Sequence, residues 1–418
     1  MTYLQALLGL SVFIAIAVGC SEDRRLPHWK LLAVGLGLQF LIAFIVFRVE
    51  MVQRALTAIN QGVSAIAAAT EAGTLFVFGY LGGGPANVAY PYSIDEPGAT
   101  LILAFRVLPL ILFFTVLSAI LWHCRILPLI VRGFSFVLQR SMGVSGAVGL
   151  GAAANIFIGM VESPALIRPY IKQLNRSELF IVMSCGMATI AGSVMVFYSV
   201  ILADVIDNAL GHILTASVIS APAAIMLALI MVPANEEATD QKIELSTHYH
   251  SLMDAITKGT SDGLKLMVNV GAMLLILVAL VALFNSMLSL LPFPGEDSLT
   301  LQGILGFLFS PLVWLMGIPW EEAQFAGSLM GIKTVLNELV AFLALADVPA
   351  GSLSPRSFII MTYALCGFAN FASLGIMIAG ISGMCPQRAQ EIVLLAPKSL
   401  ISGTLATCMT GAIAGLLA

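Results

Sequence analysis

Glu162 and Glu338 are acids set in otherwise apolar stretches, and that setting decides how they are read. A carboxylate inside a bilayer costs at least ~2.5 kcal/mol unless it faces a cavity or a polar partner, so each is a candidate site residue. Asn155, Thr189, Asn337, Asn370 and Ser373 lie in similar surroundings and offer neutral oxygens and amides. That set suits a sodium ion or a ligand rich in hydroxyls, both of which are held by oxygen acceptors rather than by thiolate or imidazole. Glu162 has a blander reading as a loop acid beside Arg168. Lys333 is a candidate partner for Glu338, five residues on, although that spacing is poor on one helix and needs a hairpin tip between the two. His248 and His250 form a His-Tyr-His string with no Cys or third His nearby, so no metal site is read there. No Gly-rich phosphate loop, Ser-x-x-Lys or His-Glu-x-x-His string occurs, which argues against ATP hydrolysis and the familiar membrane-protease chemistries.

The elements that position these residues must be apolar helices. Of 418 residues, 59% are hydrophobic and 10% charged, with a mean hydropathy of +0.99, whereas soluble domains run nearer ~25% charged. Stretches 179–203 and 266–291 carry no charge and exceed the roughly 20 residues that cross a bilayer. The fold class is therefore all-α, a polytopic membrane protein; β-barrel strands would alternate apolar and polar residues, and these runs are apolar on every face. A net charge of −4 offers no basic surface for nucleic acid. The six cysteines are scattered and read as small packing residues. The string Ile16-Ala17-Val18-Gly19-Cys20 is similar to a lipoprotein cleavage site but has no Lys or Arg before it, so the first span is read as retained.

About eight spans are expected, near residues 2–20, 31–47, 100–121, 179–203, 209–232, 266–291, 357–384 and 392–417. Arg24, Arg25 and Lys30 make the first short connection cytoplasmic, which leaves both termini outside. Alternation then puts Arg125, Arg132, Arg140, Arg168, Lys172, Arg176, Lys242, Lys258, Lys265 and Arg388 inside, and Asp204, Asp207, Glu296 and Asp297 outside. Arg48, Arg54 and Arg356 fall on the wrong side, and 50–99 reads as an interfacial helix with an outer loop. Residues 141–167 run between two basic flanks and must return to their own side, as a re-entrant hairpin. Residues 321–346 form a second hairpin entering from outside, with 299–319 as an interfacial segment or a further arm. Cys185-Gly186-Met187-Ala188 and Cys366-Gly367-Phe368-Ala369 recur 181 residues apart, and the hairpin acids 176 apart. With hairpins opening to opposite sides, the halves read as inverted repeats, the arrangement of many secondary transporters.

Several strings carry a family resemblance: Phe105-Arg106-Val107-Leu108-Pro109, Ala154-Asn155-Ile156-Phe157-Ile158-Gly159, Glu162-Ser163-Pro164, Val335-Leu336-Asn337-Glu338 and Gly367-Phe368-Ala369-Asn370-Phe371. In these the chain, from residue 100 onward, resembles the concentrative nucleoside transporters. The resemblance implies a homotrimeric sodium- or proton-driven nucleoside symporter in a lipid bilayer, here a bacterial inner membrane. Residues 1–140 would then be mainly scaffold, and 141–232 the first hairpin and transport spans. Residues 233–320 would hold a polar segment, a long scaffold span and an outer helix, and 321–418 the second hairpin and transport spans. The nucleoside site would lie between the hairpins and two unwound spans. Sodium, with no other cofactor, would be held by Asn155, Ile158, Thr189 and Ile190, the isoleucines through main-chain carbonyls. Glu338, Asn370 and Ser373 would contact ribose, with Phe368 and Val194 packing near the ligand and Glu162 in the polar network. The family usually has Gln-Thr before the first hairpin's acid, contacting the base; this chain has Met160-Val161, so the base half of the site differs.

Two other readings compete. A proton-coupled carrier of nucleosides or another ribosyl compound would use Glu162 or Glu338 as the titrating group. A membrane-embedded hydrolase would need the two acids as a water-activating dyad, and their placement on different hairpins gives that no support.

Overall fold

Nineteen α-helices, and no strand, make up the described residues of the computed structural model, which are 2–24, 27–83, 89–93, 102–203, 205–234, 249–290, 299–349 and 351–418. In chain order the helices are α1 (Thr2–Gly19), α2 (Trp29–Arg48), α3 (Glu50–Phe78), α4 (Leu103–Arg106), α5 (Leu108–His123), α6 (Ile126–Met142), α7 (Gly146–Ile158), α8 (Glu162–Leu166), α9 (Arg168–Ile171), α10 (Arg176–Ala188), α11 (Gly192–Ile201), α12 (Ala209–Met231), α13 (Leu252–Leu288), α14 (Leu301–Leu315), α15 (Trp320–Val335), α16 (Glu338–Ala346), α17 (Pro355–Leu365), α18 (Phe371–Met384) and α19 (Ala389–Leu417). Their starts are written locally. Asn175 and Glu178 form a capping box on α10, and the side chains of Ser251, Thr300, Asn337, Ser354 and Asn370 accept the first free N–H groups of α13, α14, α16, α17 and α18.

α10, α12 and α19 form the buried centre, while α13 exposes most of its length. α13 lies along α5 with Gly259 and Gly263 against the Val116 and Leu112 backbone, and its outer face shows Leu264, Val268, Leu275, Ile276 and Val278, as suits a helix against hydrocarbon.

Two ends of the bundle are fixed by side chains. At one, Glu22 receives Arg176 at 2.7 Å and Lys398 at 2.9 Å, Ser21 donates to the Ile230 carbonyl, and Ser177 donates to that of Val232. This Glu22 end thus gathers the end of α1, the starts of α10 and α19, and the end of α12. At the other, Arg356 donates to the carbonyls of Gly415 and Gly317 and lies over the Tyr3 ring, and Gln5 donates to the Trp314 and Ile318 carbonyls. Arg356, which the charge rule misplaces, is here occupied in satisfying helix-end carbonyls.

Several boundaries differ from the sequence reading. The span expected at 266–291 begins at Leu252, because Ser251 caps a helix that carries the polar residues 254–265 through its first turns. Residues 301–315 form a helix of their own, bent by 115° from α15 and packed on it where Gly327 meets Gly306 and Ser310. α3 is long and apolar enough to cross a membrane, but Asn60, Ser64 and Glu71 line, with Arg106, Asp207 and Asp347, one cavity of about 1010 Å³. α3 therefore lies across the ends of α5, α11, α12 and α16, at the Arg356 end. Arg25, Asp204, Lys242, His248, Glu296 and Asp297 lie outside the described residues.

Candidate functional site

Two hairpins and two helix breaks converge near the middle of the bundle. α7 runs parallel to α10, with Gly151 facing Val182 and Asn155 facing Gly186. Its turn is made by Gly159 at φ +97, a conformation that L side chains rarely adopt. α8 then packs back, with Ser163 donating to the Gly151 carbonyl, and the chain reaches Ile171 and Leu174, whose carbonyls accept from Arg388. Both arms of this first hairpin thus open at the Glu22 end. The second, α15 and α16, opens at the opposite end, where Glu322 accepts from Ser354; its tip is at Leu336 and Asn337.

The breaks fall at Thr189 to Ala191, between α10 and α11, and at Cys366 to Asn370, between α17 and α18. They touch: the Phe368 N–H donates to the Thr189 carbonyl at 3.2 Å. The recurring Cys-Gly-x-Ala strings gain a physical reason here. Cys185 and Cys366 both direct their thiols at α12, toward the carbonyls of Ala221 and Ile213. Gly186 and Gly367 sit where a Cβ would meet Met160 at 3.1 Å and the Ala188 carbonyl at 2.9 Å, so each glycine admits a neighbouring segment.

Glu338, at the start of α16, is buried, and both its oxygens are held: Oε1 accepts from the Tyr198 hydroxyl at 2.6 Å and Oε2 from Asn370 Nδ2 at 2.7 Å. Asn370 is fixed in turn because its Oδ1 caps the Ser373 N–H at 2.7 Å. Val194 and Tyr198 lie four residues apart on α11, both buried, and the Tyr198 ring packs on Phe342 at 4.8 Å. Asn155 is buried, and among the described residues neither of its amide atoms is hydrogen-bonded, while the Thr189 hydroxyl donates toward the Cys185 and Asn155 carbonyls. Ile158 ends α7, so its carbonyl lacks a helical partner, and Ile190 lies in the break. An unpaired buried amide among free carbonyls fits a small cation that takes neutral oxygens.

The predicted site residues are therefore brought together in part by direct bonds, Glu338 to Asn370 and Thr189 to Asn155, and otherwise by shared elements. Met160 is buried under Gly186, and Val161 packs on Gly380 of α18. Glu162 is exposed at the first hairpin's tip, its carboxylate folded over Gly159 beside Ala191. Among the described residues it makes no ion pair with Arg168. The expected Lys333–Glu338 pair is not formed either. Lys333 points the other way, donating to the Ala364 carbonyl at 2.7 Å and the Thr407 hydroxyl at 2.9 Å, because Asn337 turns the chain between the two. Sequence reasoning misses Tyr198; its signal is the one tyrosine of an apolar span, a helical turn after Val194.

Models of the Na+ dependent nucleoside transporter match the chain at residues 8–81 for the N-terminal part and 212–415 for the C-terminal part, and a nucleoside recognition (Gate) model matches 104–205. A nucleoside permease of Helicobacter pylori, NupC, is 34% identical across 98% of this chain and 97% of its own length. The chain belongs to the concentrative nucleoside transporter family. An uncharacterized transporter of Haemophilus influenzae is 38% identical over the whole chain and 98% of its own length. A solved structure of CNTnw in an inward-facing substrate-bound state superposes with a TM-score of 0.90 at 35% identity, covering 100% of this chain and 98% of that one. Concentrative nucleoside transporters are carriers, not enzymes, and the protein is an integral membrane transporter.

Proposed function

We propose that the protein is a sodium-driven symporter that imports nucleosides by alternating access. The observation that carries this reading is one junction holding both a buried carboxylate with acceptor capacity to spare, Glu338, and a buried carboxamide with no partner, Asn155. A carboxylate offers about four acceptor directions, and two remain after Tyr198 and Asn370, enough for the vicinal hydroxyls of ribose. Asn370 and Ser373 line the ribose beside it, and Phe368 and Val194 pack along the ligand. Met160 and Val161 face the base with apolar surface, so the base is read by shape. Glu162 closes the polar network at the first hairpin's tip. Sodium takes the side-chain oxygens of Asn155 and Thr189 and the carbonyls of Ile158 and Ile190, which couples the first hairpin to the first break.

In this reading the hairpins are re-entrant and the halves are inverted repeats. The transport unit is 141–232 with 321–418, the scaffold is mainly 1–140 and 233–320, and the carrier works as a homotrimer in a bacterial inner membrane. Arg24, Lys30, Arg176, Arg388 and Lys398 cluster at the Glu22 end, which makes that end cytoplasmic and leaves both termini outside. The test is uptake of radiolabelled uridine and adenosine into proteoliposomes with sodium and pH gradients set separately. Uptake should follow sodium and stop when choline replaces it. Uptake indifferent to sodium but abolished by dissipating the pH gradient would overturn the coupling in favour of a titrating carboxylate, foremost Glu162.

A further inference from the structure

Lys333 is wholly buried, and among the described residues no acid lies within ion-pair distance of its ammonium. A buried charge without a paired acid is costly unless its place in the fold requires it. Its partners are the Ala364 carbonyl, one residue from the end of α17, and the Thr407 hydroxyl. Thr407 donates its own proton to the Thr404 carbonyl, so its lone pairs face the ammonium, and its methyl carbon sits 2.6 Å from where a Cβ on Gly367 would be. Lys333 therefore spans the last turn of the second hairpin's first arm and the end of the helix that leads into the second break.

The same juncture in the first half is built of different chemistry. There Asn155, in the last turn of α7, meets the end of α10, where the Thr189 hydroxyl reaches the Asn155 carbonyl and the Asn155 amide has no partner. One half thus offers vacant neutral oxygens, and the other holds an ammonium against a helix C-terminus, whose partial negative charge favours a cation.

We propose that Lys333 is a tethered cation: it fills in the second half the place that a free coupling ion takes in the first, so that one free cation serves each transport cycle. This rests on the sodium reading above. Its consequence is that the field around Glu338 is set on one side by the chain itself and on the other by the ion.

The experiment measures nucleoside binding to the purified full-length carrier, and uptake after reconstitution, for Lys333→Ala, Lys333→Met and Lys333→Arg. Ala and Met should each weaken binding roughly tenfold or more, while Arg retains more of it than Met. Adding n-propylammonium, which restores the three carbons and ammonium removed in Lys333→Ala, should recover binding by that variant. It should not help Lys333→Met, whose side chain fills the space, and n-propanol should help neither. Thermal unfolding followed in parallel separates charge from packing, and if Lys333→Ala does not fold, the Arg and Met pair decides. Wild-type affinity in Lys333→Met, or rescue by propanol as well as by the amine, overturns the tethered cation. A wild-type sodium dependence with a Hill slope near two overturns the single free ion. Wild-type uptake that ignores sodium defeats the functional reading instead, which keeps the two failures apart.

Discussion

Glu338 keeps acceptor capacity that the protein has not used up, which is what the proposed ribose contact requires. Tyr198 and Asn370 orient the carboxylate and leave acceptor directions over, and burial makes each of those directions count. Glu338→Gln should abolish uptake while the protein still inserts, since an amide supplies one acceptor oxygen and turns a donor toward the hydroxyls. Tyr198→Phe keeps the ring on Phe342 and removes a single donor, so binding should weaken about tenfold, the scale of a hydrogen bond to a charged group. Equal binding by Glu338→Gln and wild type in calorimetry would remove the ribose assignment. Thr189→Val keeps the shape and deletes a hydroxyl, so the sodium concentration for half-maximal uptake should rise roughly three- to tenfold with maximal rate retained. At this scale the acids and amides were legible because polar groups are conspicuous in apolar sequence. What they bond to was not: the Lys333 and Glu338 side chains diverge at a turn that spacing alone does not orient, and Tyr198 stands in a span that reads as uniformly apolar.

The elements owe their approach to small residues at the crossings. At Gly367 a Cβ would press on the Ala188 carbonyl, which is backbone and cannot step aside, whereas at Gly186 it meets Met160 and Asn155 at distances a side chain can relieve. Gly367→Ala should therefore cost about 1–3 kcal/mol, seen as a lower melting temperature, and Gly186→Ala less. The first hairpin was readable from basic flanks that a single crossing could not reconcile and the second from its place between two outer segments, whereas the Cys-Gly-x-Ala string read as a repeat and the breaks beside it followed only from the family resemblance. The long extension of α13 was not readable from hydropathy, since its first turns are polar and only the Ser251 cap announces them. The Glu22 end is held differently, by charge: the Arg176 guanidinium first, with Lys398, holds the Glu22 carboxyl down to about 2 against the desolvation that raises it. A lowered carboxyl stabilises the fold fully above its ordinary value of 4.5, and that contribution fades as pH falls from there to about 2. Glu22→Gln should thus lower stability at pH 7 by no more than about 1 kcal/mol, less in high salt, because the pair is partly exposed. The difference from wild type should shrink below pH 4.5; a gap that widened there would mean that the ion pairs do not anchor this end.

For the whole molecule, the two ends defined by Glu22 and Arg356 turn a list of spans into a geometry. Arg176, Arg388 and Lys398 bond at one end, while Asp207, Asp347 and Glu71 with the single base Arg106 line the cavity at the other, an asymmetry from which the positive-inside rule would make the Glu22 end cytoplasmic. Arg356 breaks the rule in sequence but not in energy, because its guanidinium is spent on the carbonyls of Gly415 and Gly317 rather than left to choose a side. The same accounting orders the hairpins: one opens where Arg388 holds Ile171 and Leu174, the other where Glu322 holds Ser354, so each half presents its tip from a different face. Sidedness is tested with single reporter cysteines at His28, exposed at the start of α2, and at Ser352, beside the Glu322 and Ser354 contact, in a background where the accessible Cys20 and Cys124 are serine. In intact cells an impermeant maleimide should label Ser352→Cys and spare His28→Cys, and permeabilisation should expose the second. Labelling of both from outside would contradict the fold itself, since the contacts put the two positions at opposite ends. Labelling of His28→Cys alone would keep the fold and reverse the membrane orientation, placing the Glu22 end outside against the positive-inside rule.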